Sequence, residues 1–496
     1  VLNRAAAGSL ASLDDATWPP APSVDSWPAA SLPRVHVQPG APYFVTDQGA
    51  AWTPIGHNDA VTWPELSPLF RRRDVAAVER HLIWLRDHGV TCIRLMLEYC
   101  HGEHRYIERP AGRFVGHMVA FWDDLFALLE KVGLHVLLTP VDTFFMWIRW
   151  RHHPYNSANG GPCASRRTWL TCPDMRAAFK QRIAFASDRW GGSPALFAWD
   201  LWNEIHPAHG GDDPATAAAF IDDVAPWLRA REIERRGYAN LQTVSVFGPE
   251  LLNHPTLVET IFRHPALDFA NTHLYEHGTI DAPRDTVAPA LAVARLMRAA
   301  VQEAGPTRPV FDSEHGPIHS FKDKKRTLSE AFDDEYFRHI AWAHLASGGA
   351  GGGMRWPNRH PHVLTAGMRV AQRDMARFLP LIDWARFRRR NLNDEMRCDD
   401  HGVAVVGCGD ASQAIAWLVR TDALSRAGTV VARAGPPATL AVPGLDDGAY
   451  SIVAFDTADG SMRPLPDAAS AAGMLHVPLG VVARDLAIAV RRRDTA

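Results

Sequence analysis

From about residue 35 the chain alternates short apolar runs with segments of helical period, and it keeps doing so for about 340 residues. The strand candidates are 52–56, 91–97, 135–140, 197–203, 243–247, 269–274, 309–313 and 351–356. Helix candidates lie between them: 74–88 carries Val75, Val78, Leu82 and Leu85 on one stripe, and 118–132 carries Phe121, Leu125, Leu128 and Leu129. Asp74 suits the cap of the first helix, and Gly89 and Gly133 follow the two as stop signals. Strand then helix, repeated in this way, predicts a closed parallel barrel, a (β/α)8 TIM barrel, rather than an open doubly wound sheet. An open sheet of that kind would carry a glycine-rich phosphate loop after an early strand. Here the only such run, 348–353, comes late and has no lysine after it.

The pattern changes after about Arg388. Short strands at 403–406, 414–419, 429–431, 450–455 and 486–490 are punctuated by Gly and Asp turns, the signature of a small C-terminal β-sandwich. The expected organisation is therefore an extended arm over 1–34, rich in Ala, Pro and Ser with Trp18 and Trp27 as anchors, a barrel over 35–387, and a sandwich over 388–496.

Bulk properties remove several classes. With 496 residues, 47% of them hydrophobic, the chain can bury one large core and a satellite. Basic and acidic side chains number 52 and 55, and no basic stretch extends beyond 71–73 and 324–326, so a nucleic-acid surface is not expected. No apolar run reaches the roughly 18 residues a membrane span needs. Cys163 with Cys172, and Cys398 with Cys408, are close enough in sequence to bridge, whereas Cys92 reads as a buried thiol. No zinc spacing is present. The chain opens at Val1 without a charged and apolar signal segment, which is read as a removed leader or a trimmed start, so the compartment stays open, as does the oligomeric state.

In a parallel barrel the carboxyl ends of the strands face the active site. The polar residues there are His57, Asn58, Arg94, Glu98, Asp142, Asn203, Glu204, His273, Tyr275, Glu314, His315 and, as an aromatic platform, Trp356. Glu204 and Glu314 each close a strand. Two carboxyl groups about 5 to 5.5 Å apart can cleave a glycosidic bond with retention, one protonating the leaving oxygen and the other attacking the anomeric carbon. Glu204 suits the acid, because a second carboxylate nearby raises its proton affinity. Glu314 suits the nucleophile, with Arg94 and Tyr275 placed to hold it ionised, and Asn203 is placed to bond the sugar 2-hydroxyl. His273 and Trp356 complete the expected substrate-binding set.

Together, Arg94 in Ile93-Arg94-Leu95-Met96, Trp202-Asn203-Glu204, His273-Leu274-Tyr275, Glu314-His315-Gly316 and Trp356 resemble clan A glycoside hydrolases, and most closely glycoside hydrolase family 5. The resemblance spans roughly residues 40 to 375 and includes 47–58 as a first strand. It implies a retaining mechanism on the barrel, with Glu204 as acid/base and Glu314 as nucleophile. Two positions depart from the family: Ile205 stands where proline usually follows the acid/base glutamate, and Pro140-Val141-Asp142 stands where a histidine often follows the third strand.

The expected substrate is a β-linked oligosaccharide or polysaccharide, of mannan or glucan type, and no cofactor or metal is called for. Trp147, Trp150 and Trp169 are further candidate stacking surfaces, and the insertion 144–171 is placed to wall one end of the cleft, which favours a short or exo-acting site. Two alternatives stand beside this reading. One is a metal-dependent hydrolase on the same fold, although the first strand offers His57-Asn58 rather than a His-x-His pair and His360-Pro361-His362 comes past the last strand. The other is a carbohydrate-binding protein without catalysis.

Overall fold

The computed structural model describes residues 32–98, 106–205, 213–276, 279–318 and 325–493. The expected arm, 1–34, lies outside the described residues apart from its last three. Eight parallel strands close into a barrel: Gly56–Asn58, Cys92–Met96, His135–Thr139, Leu196–Asp200, a fifth strand split into Leu241–Thr243 and Ser245–Phe247, Ala270–Glu276, Val310–Pro317 and Met354–Arg355. The first half of the split strand pairs with the fourth strand and the second half with the sixth, so the ring closes across Val244. The eighth strand pairs back to the first. Main helices at Val75–Asp87, Gly116–Val132, Pro173–Trp190, Pro214–Arg236, Pro255–Phe262, Val287–Ala304, Glu330–Ala346 and Ala366–Phe378 follow the strands and cover them.

The capping signals act as the sequence predicts in two places. The Asp74 side chain accepts from the Ala77 N–H at 3.1 Å, and Gly133 takes a left-handed conformation at the end of its helix. At the other end of the first helix the cap is His88, one residue before Gly89.

One boundary differs from the expectation. Ala51–Trp52 does not belong to the barrel. It joins Val35–Val37 and Phe44–Thr46 in a small antiparallel sheet. Pro54 offers no backbone donor to a ladder, so the first barrel strand begins only at Gly56. Gly56 is required there, because a Cβ would lie 1.6 Å from the Cys92 carbonyl of the neighbouring strand. The small sheet closes the amino-terminal end of the barrel with an aromatic plug, Phe44 and Trp52 packing against Phe197 and Phe269 with ring centroids 4.7–6.0 Å apart.

Beyond the barrel, a six-stranded antiparallel sheet faces a three-stranded one, Arg397–Cys398, Ala438–Pro443 and Met474–Gly480. Leu418, Tyr450, Ile452, Leu475, Val477 and Ile488 fill the space between them, which makes a β-sandwich. It is joined to the barrel through the helix Glu330–Ala346. Arg338 pairs with Asp485 at 3.2 Å, and Glu335 accepts from the Val430 N–H at 2.6 Å and the Thr286 hydroxyl at 2.7 Å. Trp342 packs between Phe378 and Phe455. Cys163, Cys172, Cys398 and Cys408 are all free thiols, and Cys92 is buried within the second strand.

Candidate functional site

Arg94 is the centre of the barrel mouth. It lies in the second strand, fully buried, and its guanidinium reaches four acceptors at once. Nη1 donates to Glu314 Oε2 at 2.6 Å and to Asn58 Oδ1 at 2.9 Å; Nη2 donates to Asp200 Oδ2 at 2.9 Å and to Asn203 Oδ1 at 2.6 Å. A buried guanidinium needs such partners, since desolvating it without them is costly. The planar fork thereby ties the first, second, fourth and seventh strands together.

Glu314 stands in the seventh strand just past a register shift against the sixth, between Thr272 and His273. Tyr275 donates its hydroxyl to Oε1 of Glu314. Burial and the Glu314 charge push the Tyr275 phenol well above its usual range, so it remains a donor. Burial also raises the Glu314 carboxyl, while His273, Arg94 and the Tyr275 hydrogen bond act against that rise.

Glu204 lies beyond the end of the fourth strand, which stops at Asp200. Its backbone is in the left-handed region, φ 53°, a conformation that costs a non-glycine residue and persists only where neighbours hold it. Here the Glu204 N–H donates to Ser245 Oγ at 2.9 Å, and the Thr143 hydroxyl donates to the Asn203 carbonyl and, at 3.1 Å, to the Glu204 carbonyl. The side chain meets Nδ1 of His273 at 2.9 Å, and Nε2 of that ring meets Ser313 Oγ at 3.0 Å. Burial pushes the Glu204 carboxyl up to about 7, Arg94 opposing and the Asp200 charge adding to the rise. His273 is pulled down to about 4 by burial, so it is a neutral imidazole near pH 7.

Arg94, Asn203, Glu204, His273, Tyr275 and Glu314, drawn from the second, fourth, sixth and seventh strands or their ends, thus meet in one connected cluster. Trp356 stands at the neighbouring strand end, half-buried and edge-on to Trp63 at 5.1 Å. The Asn58 amide ties that strand in by donating to the Met354 carbonyl at 3.3 Å.

Other strand-end candidates fall elsewhere. Glu98 belongs to a buried network with Arg182 at 2.7 Å and the Ile107 N–H at 2.8 Å, and Arg182 also holds Glu108. Tyr155 from the insertion donates to Glu108, so this network anchors the insertion. Trp169 is not a stacking surface. It is 2% exposed and packs on Trp202 and Tyr155, supporting the insertion from within. Trp150 is partly exposed and stacks on His153. The Trp147 side chain lies outside what is described.

Three contributors escaped the sequence reading. Asp200 and Ser245 lie in runs that read as strand interior, and Thr143 in the start of a loop. An aspartate within an otherwise apolar strand, four residues before Glu204, was the available signal. Asp142, a strand-end candidate outside the expected substrate-binding set, is buried, accepts from the Asn203 amide at 3.1 Å, and is pushed up to about 7, mainly by burial.

Among the described residues, two groups bring potential metal donors within 4.8 Å of one another: Glu204 with His273 and Glu314, and His57 with Asp59 and Glu65. Each already faces a guanidinium, Arg94 at 2.6 Å from Glu314 in the first and Arg369 at 3.3 Å from His57 Nε2 in the second. A divalent cation at either place would meet a fixed positive charge at close range, so neither donor set suits one.

Known proteins share this fold. A glycoside hydrolase structure aligns over 94% of this chain and 98% of its own, with 12% identity and a TM-score of 0.58. A glycoside hydrolase family 5 structure from Bacteroides vulgatus aligns over 92% of this chain and 94% of its own, with 10% identity and a TM-score of 0.57. A family 5 mannosidase from Rhizomucor miehei covers 70% of this chain and 98% of its own, with 12% identity and a TM-score of 0.51. No protein-family model matches the sequence. In sequence, a probable mannan endo-1,4-beta-mannosidase F from Emericella nidulans is 33% identical over 76 residues, which is 15% of this chain and 17% of that protein. The match therefore spans only that small share of the relative's length.

Proposed function

We propose that the protein is a retaining glycoside hydrolase of family 5 type acting on a β-linked glycan or oligosaccharide, with mannan-type linkages as the first choice. The observation that carries this reading is the pair itself: carboxylate oxygens of Glu204 and Glu314 lie within 4.8 Å of each other at the open end of the barrel. So close an approach supports direct attack, for which the carboxyl groups stand about 5 to 5.5 Å apart, over the wider gap of about 6.5 to 9.5 Å that seats the water of an inverting enzyme. Shared fold with family 5 structures and the short mannosidase-like match favour the same chemistry and the mannan choice.

In this mechanism Glu314 attacks the anomeric carbon while the glycosidic oxygen departs with the Glu204 proton. Glu204, now a carboxylate, then takes a proton from water, whose oxygen displaces Glu314 and leaves the sugar with its original configuration. Arg94 and Tyr275 favour the charged form of Glu314, which supports its reading as nucleophile although burial raises both carboxyls. Asn203 has its amide oxygen held by Arg94, which leaves its nitrogen to serve Asp142 and a sugar hydroxyl. Trp356 supplies an aromatic face beside the pair. We assign 35–387 to the catalytic barrel and 388–496 to a stabilising sandwich.

The test is turnover of a panel of aryl β-glycosides and β-glycans by the protein and by Glu204→Ala. The expected result is hydrolysis by the parent, and a variant that fails on poor leaving groups but is rescued by azide. Sugar binding with no turnover by the parent would instead favour the non-catalytic reading.

A further inference from the structure

Asp200 touches no position a substrate could reach, yet it is bonded to the supports of both glutamates. It is fully buried at the last position of the fourth strand, opposite Thr243, where the fifth strand is split. Oδ1 accepts the Ser245 N–H at 2.9 Å, so the carboxylate satisfies the backbone where the ladder is interrupted. Oδ2 accepts from Arg94 Nη2 at 2.9 Å, from the Ser245 hydroxyl at 3.0 Å and from Thr139 at 3.3 Å. The Ser245 oxygen in turn accepts the Glu204 N–H at 2.9 Å. The hydroxyl gives its proton to Asp200, with the Trp202 carbonyl at 3.2 Å as a longer second acceptor, and keeps a lone pair for the Glu204 N–H, whose left-handed backbone needs the anchor.

From this geometry, and resting on the functional reading above, we infer that Asp200 is a positioning residue for both halves of the reaction. It holds Arg94 against Glu314, holds the Glu204 peptide through Ser245, and puts a fixed negative charge behind the acid. Glu204 is faced by His273 from the sixth strand, Glu314 from the seventh, Arg94 from the second, and by Asp142 and Tyr275 at the rim. Arg94 is the one cation among them, and Asp200 draws part of its field away from Glu204. Removing the Asp200 charge leaves Arg94 to favour the ionised acid, so Glu204 loses its proton at lower pH.

The experiment compares Asp200→Asn and Asp200→Glu with the parent. In kinetics on an aryl β-glycoside, Asp200→Asn should lower kcat by at least about 10-fold with little change in KM, and move the basic limb of the pH profile to lower pH. Asp200→Glu should lose rate and keep the limb where it was. Independently of turnover, infrared difference titration of the full chain, with Glu204→Gln identifying the Glu204 carboxyl band, should show that band vanishing at lower pH in Asp200→Asn. An unmoved limb and an unmoved infrared midpoint would overturn the inference. If no glycoside is turned over, the functional reading fails and the infrared arm alone decides this one. If Asp200→Asn does not fold, Ser245→Ala decides: losses larger for poor leaving groups than for activated ones support the chain to Glu204, and equal losses contradict it.

Discussion

The barrel mouth and the seam between barrel and sandwich both bury carboxylates beside arginine, with opposite results. At the seam Asp485 faces Arg338 and His339 and receives the Thr457 hydroxyl, while Glu335 lies 3.6 Å from the same guanidinium. Burial penalises its charge, but Arg338, His339 and those hydrogen bonds hold it well below the usual carboxylate range. At the mouth one guanidinium is divided among Glu314, Asp200 and the amide oxygens of two asparagines, while Glu204 bonds to His273 and Asp142 to the Asn203 amide. Glu204 and Asp142 are pushed up to about 7. Fewer cations per carboxylate thus raise proton affinity at the mouth, as the proposed acid role of Glu204 requires, whereas at the seam the carboxylate stays charged.

The sharpest way to break this contrast is to remove one carboxylate from each region. Glu314→Ala should cost at least about 10³-fold in kcat while thermal unfolding stays near that of the parent, and near-normal turnover would reject its role. Asp485→Asn should do the reverse, with kcat retained and stability lower by about 3 kcal/mol or more in denaturant titration, because the buried Arg338 keeps only the more distant Glu335 as a charged partner.

The pH responses should also oppose each other. Asp485 has a depressed folded-state value, so its contribution to stability is complete above the ordinary aspartate value of 3.8 and is lost as the pH falls below it. Glu204 has a raised value, so its burial favours the fold below 4.5 and this is lost as the pH rises toward about 7. Activity should decline above about pH 7 as the acid ionises; a flat profile to pH 9 would contradict the assignment. The smallest effect belongs to the surface. Arg73 pairs with Asp124 while 62% exposed, and Arg73→Ala should change stability by well under about 1 kcal/mol.

What the sequence makes legible follows from what is local. Strand and helix period, Asp74 as a cap, the left-handed Gly133 and the arginine in an apolar strand are all written within a few residues. Because the strands are parallel, polar residues at their ends are brought to one mouth by topology alone, which is why six of the expected site residues meet. The shift of the first strand past Pro54 was also local, but it was masked by Trp52, whose aromatic side chain serves the bottom plug rather than the ladder. Burial of Trp169, the reach of Asp200 across the split strand and the pairing of Arg338 with Asp485 depend on partners far away in the chain. No period or spacing records such partners.

The central claim is that Glu314 becomes covalently bonded to the sugar while Glu204 serves as its acid and base. Incubation with an activated 2-deoxy-2-fluoro-β-mannoside slows the second step and accumulates the intermediate, which intact-protein and peptide mass spectrometry can locate. The account predicts one fluorosugar per chain, on the peptide that contains Glu314, with Glu204→Ala still labelled when the leaving group is good. Turnover without any trapped adduct, together with a first-formed sugar of inverted configuration, would contradict it.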